Sequence, residues 1–208
     1  MKIQEAYNNW AEQYDSNKNR TRDLEAISLQ NTLQNIPFET CLEIGCGTGK
    51  NTEWLIQKAQ EVVAVDFSEG MLAVAQEKIN SDKVEFHHGD ITKKWNFATK
   101  QFDLVTFSLV LEHIENLSDI FKKAADFVVT GGIVYVGELH PFKQYQGTKA
   151  RFESDNGQQV LTCFSHHISD FTQAAKQNGF QIAEINEYFD DDNRNALPRI
   201  LTLLLKKR

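Results

Sequence analysis

Cysteine is scarce in this 208-residue chain, and the three present, Cys41, Cys46 and Cys163, form no CxxC pair. An odd count without such pairs excludes a disulfide framework and a thiolate zinc site, so they read as small core or loop residues. Positive charge is short as well. Twenty-two Lys and Arg stand against twenty-nine Asp and Glu, for a net charge of -7, which leaves no electrostatic footprint for a nucleic-acid backbone or an anionic membrane. No run of eighteen apolar residues occurs, and the opening MKIQEAYNNWAEQYD lacks the apolar centre of a signal peptide. The expectation is a cytoplasmic protein, monomer or homodimer, whose partner is a small molecule. Also missing are a G-x-S-x-G elbow around Ser108 or Ser165, a G-x-x-x-x-G-K-[ST] phosphate loop, metal-spaced histidines and any internal repeat.

The length suits one domain over residues 1–208. From residue 38, short β-branched runs alternate with stretches of helical period: strands are expected at 40–44, 61–65, 83–87, 102–107 and 132–139, with helices near 50–58, 68–80 and 116–128. Gly131-Gly132 reads as the stop of the last of these helices. This order predicts an α/β, doubly wound sheet, parallel through residue 138. About thirty polar residues follow in a variable segment, 139–167. A helix over 168–178, ended by Gly179, then leads to strands at 181–189 and 199–205, and the DDDNRN between them suits a hairpin with a solvated tip at Asp190, Asp191 and Asp192. An antiparallel finish to a parallel sheet is thus expected. Residues 1–37 read as a helical cap with Tyr7, Trp10 and Tyr14 on one face, a stripe that suits either packing or a lid.

The stretch CLEIGCGTGKNT, 41–52, occupies the first strand-to-helix turn, where open parallel sheets bind ligands. Glycine removes Cβ and permits positive φ, so a ligand can touch the backbone there; phosphates and a free carboxylate would both suit the following helix start. The spacing of Gly45, Gly47 and Gly49 is G-x-G-x-G rather than the G-x-G-x-x-G of dinucleotide sites, and Glu43 lies two residues ahead of it. Asp66 ends the second strand, where a carboxylate can accept both hydroxyls of a ribose, and Phe67 and Met71 beside it could sandwich a flat base. Asp90 and Ile91 follow the third strand on the same rim. Helix capping is the alternative for each aspartate.

Taken in order, LEIGCGTGKNT, VVAVDFSEGML, VEFHHGDI, FDLVTFSLVLEHI and TGGIVYVGE resemble the class I S-adenosylmethionine-dependent methyltransferases, in particular the type 11 group that acts on small molecules. TGG stands where that group usually has PGG. The resemblance implies a Rossmann-like seven-stranded sheet, mostly parallel with its last strand antiparallel, helices on both faces and an N-terminal helical cap, with S-adenosyl-L-methionine as cofactor and S-adenosyl-L-homocysteine as product. It implies roles for Glu43, Gly45, Cys46 and Gly47 around the methionine part, for Asp66 on the ribose, and for Phe67 and Met71 by the adenine. Asp90 and Ile91 would hold the adenine edge, Ser108, Leu109 and Val110 would line the methionine, and Tyr7, Tyr14 and Arg20 or Arg22 would close over the cofactor. Ser68, Gly89 and His113 join the expected cofactor-binding set, with a helix start as the alternative for His113. The Asp/Asn-Pro-Pro-aromatic signature of nucleic-acid amino-methyltransferases is missing after the fourth strand, where FSLVLEH stands.

Methyl transfer from a sulfonium is an in-line displacement, so the protein mainly aligns and desolvates. A proton acceptor is expected from 138–167. His140, after a strand end with Glu138 two residues before and Pro141 behind, is the first candidate, and His166 of the His166-His167 pair is the second; the alternative for both is hydrogen bonding to backbone. Lys143, Lys149 and Arg151 make this segment basic, which suits either a solvated loop or recognition of an anionic acceptor.

Overall fold

The computed structural model describes residues 3–148, 151–154 and 157–208, with side chains described outside 151–160. Seven strands form one sheet: β1 (Thr40–Ile44), β2 (Glu61–Asp66), β3 (Val84–His88), β4 (Phe102–Ser108), β5 (Val128–Leu139), β8 (Phe180–Tyr188) and β9 (Ile200–Lys207). Their order is β3-β2-β1-β4-β5-β9-β8. β1 to β5 pair in parallel, and β9 inserts antiparallel between β5 and β8. Strand order reverses between β1 and β4, which makes a crevice at their carboxyl ends.

The central strands are apolar on both faces because both are covered. On β2, Val63 and Val65 join the layer that holds Phe107, Phe121 and Phe180, whereas Val62 and Ala64 join Leu29, Leu55 and Leu72 on the other side. The helices are α1 (Ile3–Tyr14), α2 (Arg20–Leu33), α3 (Thr52–Lys58), α4 (Glu69–Lys78), α5 (Leu117–Phe127), α6 (Pro141–Tyr145) and α7 (Ile168–Gln177). α1 lies across α4: Ala6, Trp10 and Ala11 pack with Met71, and Asn8 Oδ1 accepts from Ser68 Oγ at 2.6 Å and from the Gly70 N–H at 3.1 Å. Ser68 also caps α4 by accepting from the Met71 N–H, a bond worth about 1 kcal/mol.

One expectation is corrected. Helix α5 ends at Phe127, and Gly131-Gly132 lie inside β5 rather than ending the helix. The β-branched pair Val128-Val129 already favours strand, Val128 pairs with Phe102, and the register then jumps to Leu104 opposite Ile133, so the glycines sit in a bulge. The variable segment holds α6 and a two-stranded hairpin, β6 (Arg151–Ser154) and β7 (Gly157–Val160). Lys149 lies outside the described residues. None of the three cysteines forms a disulfide among the described residues. Among the described residues no helix is long and apolar enough to cross a membrane.

Candidate active site

A cavity of about 300 Å³ opens where β1, β2 and β4 end in Ile44, Asp66 and Ser108. Its floor is the glycine loop, tied to β2 by the Gly45 and Cys46 N–H groups donating to Val65 O at 2.7 and 3.0 Å. Asp66 holds the loop in place: Oδ2 accepts from the Gly47 N–H and Oδ1 from the Ser68 N–H, both at 2.8 Å. Gly45 and Gly47 have φ of 75° and 54°, the left-handed region. A Cβ on Gly45 would stand 2.1 Å from Val110 Cγ2, whereas a Cβ on Gly47 would meet nothing within 4 Å. Gly47 therefore presents bare backbone to the cavity.

The walls are apolar, with Val65, Met71, Ile91, Val110 and Ile114 behind the floor. Phe67, 37% exposed, stacks on His88 with ring centroids 6.3 Å apart and planes at 9°. On the rim beside Gly89, Asp90 uses Oδ1 to accept from Thr92 N–H and Oγ1, at 2.9 and 2.6 Å. The roof is α1, which contributes Ile3, Gln4, Tyr7 and Tyr14; Gln4 Nε2 donates to Phe67 O at 3.0 Å. Behind β4, Leu109 has φ 57°, and buried Glu138 fixes the turn, Oε1 accepting from the Val110 and Leu111 N–H groups at 2.9 and 2.7 Å. His113 Nδ1 lies 3.1 Å from Thr162 O. A carbonyl can only accept, so Nδ1 carries the proton and Nε2 accepts from the Tyr7 hydroxyl at 2.9 Å.

Among the described residues, the lining carries the carboxylates of Asp66 and Asp90 and no lysine or arginine. That donor set suits a ligand with hydroxyls and a positive centre and supplies no side-chain cation to a pyrophosphate. A second cavity of about 330 Å³ adjoins the first across Tyr7, Tyr14 and Leu109, which line both.

Comparison with known proteins gives the following. Residues 42–136 are similar to the type 11 family described as methyltransferase domain. The chain is 26% identical to a methyltransferase of Emericella nidulans over 88% of its length and 77% of that protein's. It is 30% identical to the malonyl-[acyl-carrier protein] O-methyltransferase of Bacillus cereus over 64% of this chain, spanning about half of that protein's length (50%). The fold matches the DhpI-SAM-HEP complex with TM-score 0.78 at 21% identity, covering 98% of this chain and 95% of that one. A methyltransferase structure from Clostridium acetobutylicum matches at 0.71 and 20%, covering 97% and 99%.

The first cavity gathers Tyr14, Gly45, Gly47, Asp66, Phe67, Ser68 and Met71 from the expected cofactor set. Gly89, Asp90, Ile91, Ser108, Leu109 and His113 complete the group. Three expected residues lie elsewhere. Glu43 is buried beneath the loop and accepts from Thr52 Oγ1 at 2.6 Å; Cys46 packs into the core under α3; Arg22 lines the second cavity. Neither proposed base reaches the cofactor cavity. The fully buried His140 is the N-cap of α6: Nδ1 accepts from the Phe142 N–H at 3.2 Å and Nε2 meets Glu187 Oε1 at 3.1 Å, so both ring nitrogens are engaged. Burial lowers its pKa. His166 is buried against Phe171, with Nε2 donating to Ile114 O at 2.7 Å. Each histidine thus does what a structural residue does. Gln4, Thr92 and Ile114 line the cavity without a sequence signal; Gln4 lies on the same helix as the aromatic stripe, one turn ahead of Tyr7.

The protein also buries carboxyls around this frame, and burial pushes Glu25 up to about 7 and Glu43 and Glu138 up to about 8. In the unfolded chain they ionise near 4.3. Between those values the folded protein holds protons that the unfolded chain has released, so stability falls as pH rises through this window. Asp15, Asp103 and Asp190, shifted below the ordinary range, are ionised in both states there. Thermal melts should show a higher Tm at pH 6 than at pH 8.5, and Glu138→Gln, which keeps an acceptor for Val110 and Leu111, should flatten that slope. A Tm that is level or rises from pH 6 to 8.5 contradicts the burial account.

Proposed function

We propose that the protein transfers the methyl group of S-adenosylmethionine, held in the first cavity, to a small-molecule acceptor in the second. The observation that carries this reading is a glycine-floored cavity with two carboxylates and no lysine or arginine among the described residues, in a chain whose residues 42–136 are similar to this family. When bound, S-adenosylmethionine supplies a methyl group already activated on a sulfonium.

The chain's own residues bind, orient and exclude water. A carboxylate offers about four acceptor positions, and two of those on Asp66 hold the loop, which leaves room for two ribose hydroxyls. Met71, Ile91 and Phe67 give a flat base an apolar slot beside Asp90. Tyr7, on both cavities, stands where the acceptor's reacting atom must lie. Its oxygen takes the acceptor's proton while its own proton passes to His113 Nε2, whose tautomer Thr162 O has fixed. Burial raises the pKa of the Tyr7 hydroxyl well above 10, so the pair works by handing a proton on, not by holding a phenolate.

The test is to incubate the enzyme with methyl-labelled S-adenosylmethionine and a metabolite extract and to follow the label by mass spectrometry. Label should appear in a small molecule, with S-adenosylhomocysteine released in equal amount. Label found only in protein or nucleic acid would contradict the reading.

A further inference from the structure

The second cavity has the opposite charge character to the first. Lys18, Arg20, Arg22 and Arg199 line it, with Glu112 as the one carboxylate among the described lining residues, in a chain whose net charge is -7. These cations come from the α1–α2 connection, the first turn of α2 and the β8–β9 corner, so their convergence is a product of the fold. Arg199 is pre-set: Nε and Nη2 donate to the two oxygens of Asp190 at 2.5 and 2.6 Å, and Nη1 donates to Thr21 Oγ1 at 3.2 Å.

Arg22 is held without a carboxylate contact. Its terminal nitrogens donate to the carbonyls of Tyr14 and, at 2.8 Å, of Asn17, its guanidinium lies 3.9 Å from the Tyr14 ring centroid, and its buried Nε has no partner. This part-buried charge is met by carbonyls and ring faces and acts on the Asp15 carboxylate only at a distance, with no carboxylate in salt-bridge reach among the described residues, so its compensation is incomplete. Among the described residues Lys18 and Arg20 likewise make no salt bridge. Burial pushes the Glu112 carboxyl up from its ordinary value.

We propose that this cavity is a recognition site for an acceptor bearing a carboxylate or phosphate-type group, held by Lys18, Arg20, Arg22 and Arg199. The anionic end sits among the cations, and the atom to be methylated points past Tyr7, Tyr14 and Leu109 toward the first cavity. This rests on the reading of the two cavities as cofactor and acceptor sites. It also gives the paired ligands opposite charges, the positive centre facing Asp66 and Asp90 and the anion facing arginines. Of the basic group expected from the variable segment, Lys143 is not among the described lining residues of this cavity, and Lys149 and the Arg151 side chain lie outside the described residues.

The probes are inorganic phosphate, malonate and the uncharged malonamide, titrated by calorimetry into the full-length protein, alone and saturated with S-adenosylhomocysteine. At least one anion should bind tenfold or more tightly than malonamide and weaken with added salt; the tighter of the two assigns the phosphate or the carboxylate class. Lys18→Gln/Arg20→Gln, at two exposed positions, should weaken that anion tenfold or more and leave S-adenosylhomocysteine affinity unchanged. The proposal is overturned if neither anion outbinds malonamide, or if the double variant binds both as the wild type does. Failure of S-adenosylhomocysteine to bind would strike the cofactor reading instead, because the anion titration stands on the protein alone.

Discussion

Gly47→Val should fold and should lose S-adenosylhomocysteine binding by a hundredfold or more. Gly47 has φ 54°, and a Cβ built there meets no atom within 4 Å, so in the free protein the new side chain finds room. The cost to the fold is backbone strain, about 1 to 2 kcal/mol for a side chain in the left-handed region. The cost to binding is larger, because the open space belongs to the cavity and two methyl groups would stand where the ligand meets the backbone. Gly45→Val is a different case: its Cβ would strike Val110 Cγ2 at 2.1 Å and disturb packing directly. Circular dichroism and a thermal melt establish folding, and calorimetry reads affinity. A folded Gly47→Val protein with near-normal affinity would mean that the ligand does not approach this glycine.

Tyr7→Phe and His113→Ala should each lower kcat about 10²-fold on an acceptor that must lose a proton, with S-adenosylhomocysteine affinity changed by no more than a few-fold. The Tyr7–His113 contact at 2.9 Å is the hydrogen-bonded pair that reaches both cavities through Tyr7. Because the two act as one unit, the double variant should be scarcely slower than either single one. His140→Ala is the control, expected to disturb the start of α6 and not the chemistry, since its ring faces Phe142 and Glu187. The acceptor is the labelled metabolite identified as described above, and turnover is followed by release of S-adenosylhomocysteine. Wild-type rates in both single variants would remove the pair from the mechanism.

The framework of the fold and the cofactor side of the site were legible because they are local. Strand β2 reads EVVAVD and ends at Asp66 as its β-branched run ends, and the G-x-G-x-G turn follows β1 within the same short stretch. What the sequence concealed depends on distant contacts. His140 follows β5, the strand most promising for a base, but β9 inserts beside β5, so the His140 N–H donates to Arg199 O and Glu187 of β8 covers the ring. The His113–Tyr7 pair joins residues 106 positions apart. Arg199 meets Thr21 across 178 positions, so the second cavity's charge could not be read from any single segment. Asp190, expected at a solvated tip, is instead half-buried against Arg199, whereas Asp191 and Asp192 remain exposed.

The central claim, that the acidic glycine-floored cavity holds S-adenosylmethionine, is tested most directly by calorimetry on the wild type and Asp66→Ala. Ligands are S-adenosylmethionine, S-adenosylhomocysteine, NAD and NADP. The account predicts binding of the first two and none of the nicotinamides, because the loop has G-x-G-x-G rather than dinucleotide spacing and the described lining pairs two carboxylates with no side-chain cation. It also predicts a loss of about 1.5 to 3 kcal/mol for Asp66→Ala, the scale of hydrogen bonds to a charged acceptor. Nicotinamide binding tighter than S-adenosylmethionine, or a folded Asp66→Ala protein with wild-type affinity, would contradict it.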